Sequence, residues 1–197
     1  MQYDEENVMK KIISVFCFIA ALLLLCSCSH IFSEKTVTDI SEYGNVWETF
    51  SRSYGNSSEL FPKTLENLDV QSFQNRLIQY QIVGDGWQVE LKVKYDKAAF
   101  DAEVERISKL TEGSPVHGKS EYFSLPTYAS VWNGESRCSF EYAVVREEEN
   151  TISYIYLQQL YESDFSISSD CIPRNYKYPS EYKEKTFLIS NYPDIHS

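Results

Sequence analysis

Trp87-Gln88-Val89-Glu90-Leu91-Lys92-Val93-Lys94-Tyr95, then Asp96, then the run from Lys97 to Leu110, decides the fold class. In the first of these stretches the odd-numbered positions are apolar or aromatic and the even-numbered ones polar or charged. A period of two with one charged face predicts a strand with one side on a core and the other in water. After Asp96 the period changes. Phe100, Val104, Ile107 and Leu110 recur at helical spacing, while Lys97, Asp101, Glu105 and Lys109 fall elsewhere, which predicts an amphipathic helix. Asp96 supplies the capping oxygen. Strand and helix are joined directly, so folding the helix back over Trp87, Val89, Leu91, Val93 and Tyr95 is the shortest way to remove both apolar surfaces from water.

Working outward, Ile78, Tyr80 and Ile82 alternate with Gln79 and Gln81, and a strand is expected over about 73–83. Gly84-Asp85-Gly86 then reads as the turn of a hairpin. Downstream, residues 111–126 read as a loop with Gly113, Pro115, Gly118 and Pro126, and 128–132 as a short strand broken by Asn133-Gly134. A second hairpin is expected from 139–146 and 151–161, with Glu147-Glu148-Glu149-Asn150 as its tip. Phe140, Tyr142 and Val144 oppose Ala143 and Val145, and Ile152, Tyr154 and Tyr156 oppose Ile155 and Leu157. Apolar residues on both faces mark central strands. From about 170, Pro173, Pro179 and Pro193 argue for coil, anchored by Tyr176, Tyr178, Tyr182, Phe187 and Tyr192. The expectation is an α+β domain: an antiparallel sheet of about five strands, one long helix on one face, and a coil-rich C-terminal tail.

The N-terminal part reads differently. Lys10 and Lys11 precede an apolar run from Ile12 to Leu25, interrupted only by Ser14, that ends Leu25-Cys26-Ser27-Cys28. A basic start, an apolar core and small residues at the end make a signal peptide. The run is short for a bilayer-spanning helix, which needs about 20 apolar residues. Leu25-Cys26-Ser27-Cys28 resembles a bacterial lipobox. The resemblance implies that Cys28 receives a diacylglyceryl group and becomes the first mature residue; Cys26 fits less well after the bulky Leu25. The lysines stay inside, so the rest of the chain lies on the extracytoplasmic side of the cell membrane. The expected division is a signal peptide over 1–27, with Met9 as an alternative start after the acidic Asp4-Glu5-Glu6. Residues 28–58 follow as lipidated cysteine, tether (29–38) and a short helix carrying Val46, Trp47, Phe50 and Tyr54. A single domain covers 59–197. Phe61-Pro62, the strand 87–95, the helix with Phe100, Glu103 and Arg106, and the Tyr-rich hairpin resemble uncharacterised surface lipoproteins of Gram-positive bacteria over about residues 60–160. That resemblance implies no activity.

Removing residues 1–27, which carry two basic and three acidic side chains, moves the net charge from −11 to −10. Such an acidic domain is a poor partner for nucleic acid. Fifteen Tyr and eleven Phe suit both sheets and binding faces, because a phenol can be half-buried with its hydroxyl wet. Of the five cysteines, Cys17 and Cys26 leave with the signal and Cys28 takes the lipid. Cys138 and Cys171 then either form a disulfide or stay as two thiols.

Gly113-Ser114-Pro115-Val116-His117-Gly118-Lys119-Ser120 matches the phosphate-loop pattern G-x-x-x-x-G-K-[ST]. That pattern works where a strand runs into a helix N-terminus. Here it follows a helix and no helical pattern comes after it, so nucleotide binding is not expected. His117 and His196 have no Cys or Glu at zinc-ligand spacing, and no metal or other cofactor is expected. Glu147 to Glu149 read as a solvated tip, and Glu103 with Arg106 as an i, i+3 contact. No catalytic residue is singled out. The chain reads as a lipid-anchored module that binds a protein, peptide or glycan; the alternatives are a surface hydrolase with an unrecognised site and an accessory subunit of an envelope complex.

Overall fold

The computed structural model describes residues 32–54, 58–80, 84–133, 139–158, 164–174 and 187–188. They form an α+β domain built on one antiparallel sheet. The strands are β1 (Phe32–Val37), β2 (Asp69–Tyr80), β3 (Gly84–Lys94), β4 (His117–Gly118), β5 (Thr127–Asn133), β6 (Ser139–Arg146), β7 (Thr151–Gln158) and β8 (Phe187–Leu188). Their order across the sheet is β1-β2-β3-β7-β6-β5-β4, and β8 also pairs with β5. The two helices are α1 (Tyr43–Tyr54) and α2 (Lys97–Leu110). No helix among these residues is long and apolar enough to cross a membrane.

The strand–helix unit forms as its periodicity demands. Asp96 accepts from Ala99 N at 2.8 Å and starts α2. Trp87, Val89, Leu91 and Val93 share one core with Phe100 and Ile107, and Tyr95, Val104 and Leu110 pack against its edge. In register, Leu91 lies between Phe73 on β2 and Tyr154 on β7. The second hairpin is central, with β6 and β7 buried on both faces. Ala143, Val145, Ile152, Tyr154 and Tyr156 belong to the helix-side core; Phe140, Tyr142, Val144, Ile155 and Leu157 belong to a second core on the other side.

The sheet is larger than the expected five strands. Residues 32–37, expected to be a tether, pair along their whole length with β2 from Phe32↔Tyr80 to Val37↔Asn75. The folded domain therefore begins well before residue 59. A second helix also covers the helix side: Tyr43 and Val46 of α1 are buried there, and Trp47 stacks edge-on against Phe61 at 4.6 Å. The first hairpin turns earlier than the glycines suggest. Gly84, Asp85 and Gly86 are paired residues of β3, opposite Tyr80, Gln79 and Ile78. A slip of one residue would turn every side chain to the wrong face, so the pairing of Leu77 with Trp87 and Phe73 with Leu91 overrides the local turn signal.

The charged face of β3 is the other correction. Lys94 is exposed and Lys92 partly so, but Gln88 is fully buried and Glu90 largely so. Residues 164–173 cross this face. Ser166 is held by Gln88 and Gln74, Arg76 reaches the carbonyl of Asp164, and Phe165, Ile167 and Cys171 join the second core. The Tyr residues expected to anchor the tail, Tyr176 to Tyr192, lie outside the described residues; Phe187 pairs with Trp132 in β8.

Candidate functional site

An open groove of about 410 Å³ lies where residues 59–68 run beside α2 and the end of β3. Its apolar walls are Phe61, Pro62, Leu68 and Tyr95, and Glu59, Lys63 and Glu66 add charge. Arg106 and Glu103, one turn apart on α2, form its inner side. Arg106 binds both oxygens of Glu103, at 2.7 and 2.8 Å, and also donates to the carbonyls of Glu59 at 3.0 Å and Leu60 at 2.6 Å. The pair therefore clamps the wall segment onto the helix.

Two phenols extend the network inward. Tyr154 donates to Glu103 Oε1 at 2.5 Å, and the Tyr95 hydroxyl lies 2.7 Å from that of Tyr154. Because the single Tyr154 proton goes to the carboxylate, Tyr95 must donate to Tyr154. Burial pushes the Tyr95 phenol up to about 12, with the Tyr154 bond opposing. Burial, and after it the neighbouring Tyr95 and Glu103, raise Tyr154 further. The bond to Glu103 raises the already strong base Arg106. Both phenols therefore stay protonated at neutral pH, and the guanidinium stays charged. These groups hold geometry and can offer hydrogen bonds.

From the sheet side, Glu141 of β6 pins the same segment. It is 2 % exposed, accepts from the Ser130 hydroxyl at 2.7 Å and Leu60 N at 3.4 Å, and also holds the Ser58 hydroxyl. Tyr43 of α1 donates to Pro62 O at 2.7 Å. Helix, sheet and second helix thus fix one wall from three directions.

No family model matches this chain, and no similar curated protein or solved structure was found. A functional reading must therefore come from its own residues.

The residues singled out in the sequence do not converge on the groove, apart from Glu103 and Arg106. Their i, i+3 spacing was legible; their partners Tyr154, Tyr95 and the 59–60 carbonyls come from distant segments. Cys28 and Cys138 lie outside the described residues. Glu147 to Glu149 form a single exposed 3₁₀ turn closed by Asn150 in the left-handed region at φ 48°. Among the described residues no group of three His, Cys, Asp or Glu could hold a metal ion.

The stretch 113–120 crosses the sheet edge. His117 and Gly118 pair with Tyr128 and Thr127 as β4, and Lys119 is exposed. The His117 ring is held by Thr111 Oγ1 at 3.1 Å and Ser108 Oγ at 3.3 Å, and Tyr128 meets it edge-on. No helix N-terminus follows to gather backbone N–H groups around a phosphate. We expect ATP to leave the melting temperature unchanged. A saturable shift abolished by Lys119→Ala would overturn that expectation.

Cys171 is buried, its Sγ 3.1 Å from Arg146 Nη2. Burial pushes the thiol up to about 11, with Arg146 opposing. It is a free thiol, and the Cys171 carbonyl accepts from the Tyr142 hydroxyl at 2.8 Å. In protein made without residues 1–28, we therefore expect two thiols to titrate in denaturant with no reductant present. We expect Cys171 to resist maleimide while the protein is folded. A single oxidised species by mass spectrometry would overturn this.

The same face carries Glu90, whose carboxyl is raised by burial, with Arg146 and Lys92 opposing. A raised folded-state value favours the protonated form. Glu90 therefore contributes less to stability as the pH rises past the ordinary glutamate value of about 4.3.

Proposed function

We propose that this chain is an extracytoplasmic lipoprotein, held to the cell membrane through Cys28, whose domain binds a protein, peptide or glycan in the groove beside α2. The observation that carries the binding reading is the wall of that groove. Its hydrogen-bonded clamp is anchored in both helices and the sheet before any ligand arrives. A preorganised wall lowers the ordering cost of binding. Phe61, Leu68 and Tyr95 supply apolar and aromatic contact, and Glu59, Lys63 and Glu66 supply polar discrimination. The anchor reading is supported by the run from Lys10 to Cys28.

Each half has its own test. Cys28→Ala should abolish lipid modification, since only that thiol follows the small residue of the lipobox; mass spectrometry of the mature N-terminus decides. A diacylated peptide beginning elsewhere would overturn the assignment. For binding, the soluble domain on peptide and glycan arrays should give ligands whose signal is lost in Thr64→Trp, which fills the groove from its exposed wall. Signals unchanged in that variant, with its circular dichroism intact, would place binding elsewhere.

A further inference from the structure

We infer that the domain stands on its membrane in one orientation, with the Phe32–Tyr80–Gly84 end of the sheet against the lipid headgroups and the Tyr95 wall of the groove at the opposite end. The inference rests on lipidation of Cys28 and adds a membrane-facing surface to it. Only Ser29, His30 and Ile31 separate Cys28 from Phe32, the first residue of β1. Even fully extended, four residue steps span only about 14 Å. The expected tether is therefore too short for the domain to tumble freely above the bilayer, because Phe32 is already locked in the sheet opposite Tyr80.

The pairing identifies the elements at each end. Tyr80 closes β2 opposite Gly84, which opens β3, and Gln158 closes β7 opposite Ser139, which opens β6. These residues share the end of the sheet at which β1 begins. At the other end lie Asp69, Lys94, Thr151 and Arg146. The eleven residues of β3 put about 33 Å between the two ends. Tyr95 follows Lys94, so the Tyr95 wall of the groove lies at the far end. The exposed turn Glu147 to Glu149 lies there too.

The test uses the full-length lipidated protein, extracted in mild detergent and reconstituted into phosphatidylcholine–phosphatidylglycerol vesicles carrying a headgroup spin label. A maleimide fluorophore is placed at Asp85→Cys or Glu148→Cys, both exposed positions, in a Cys138→Ser background. The expected result is loss of emission from the probe at 85 and retention at 148. Inserting a Gly/Ser linker of about twenty residues between Ile31 and Phe32 should abolish that difference. Equal quenching at both positions in protein that floats with the vesicles overturns the orientation alone. Failure to float, with an unmodified N-terminal peptide, overturns the anchor and the orientation with it.

Discussion

Leu91→Asp should leave no stably folded protein, while Lys92→Asp, one residue away, should unfold within a few degrees of the parent chain. Leu91 is completely buried between Phe73 and Tyr154, beneath α2. Losing its burial costs about 1.5–3 kcal/mol. The carboxylate that replaces it finds no cation in that core and adds several kcal/mol more. Domains of this size are stable by about 5–15 kcal/mol, so the sum removes most or all of the margin. Lys92 keeps a third of its side chain in water, and its ion pair with Glu149 is 3.8 Å long and open to solvent. Such a pair contributes about 0–1 kcal/mol. Urea melts followed by tryptophan fluorescence would compare the two. Equal damage would mean that Lys92 is far more tightly held than its exposure shows.

Arg106→Ala should destabilise the domain by about 2–3 kcal/mol and release the segment 58–62. The guanidinium makes four hydrogen bonds, two to Glu103 and two to the carbonyls of Glu59 and Leu60. Without it Glu103, whose side chain is only 16 % exposed, keeps the Tyr154 hydroxyl but loses its cation. Arg106→Lys should recover only part of the loss, because an ammonium cannot reproduce the planar two-point contact with a carboxylate. Hydrogen exchange would localise the effect. Faster exchange at Leu60 and Phe61, with the β3 and β7 amides unchanged, is the expected pattern. Uniform acceleration across the sheet would show that the clamp supports the whole fold and has no special hold on the groove wall. Glu103→Gln should do less damage, since the amide oxygen can still accept from Tyr154 and Arg106.

Much of the fold was legible because much of it is written as periodicity. The alternation in 87–95, the helical stripe in 97–110 and the doubly apolar strands 139–146 and 151–158 each report how many faces an element buries. The structure has α2 over that strand and the second hairpin at the sheet centre. Phe32-Ser33-Glu34-Lys35-Thr36-Val37 gave no such signal. An edge strand buries little, and here Glu34 reaches across to Arg76 at 2.6 Å and turns a polar residue into part of the pairing. The groove was only half visible. Glu103 and Arg106 stand one turn apart, but nothing local to them announces Tyr154, 51 residues away, or the carbonyl of Leu60.

By itself, then, the sequence determined the α+β class, the strand–helix unit at its centre and the face of β3 that meets α2. Each follows from a repeat within one continuous segment, where the spacing of side chains sets which of them are removed from water together. The tertiary structure alone decided that β1 extends the sheet, that the first hairpin turns before Gly84, and that residues 164–173 bury Gln88. It also decided that Arg106 closes a groove. These outcomes depend on which distant segment covers a given surface. That choice is settled by the packing of the whole core and by the need to pair every buried polar group, as Gln88 finds Gln74 and Ser166.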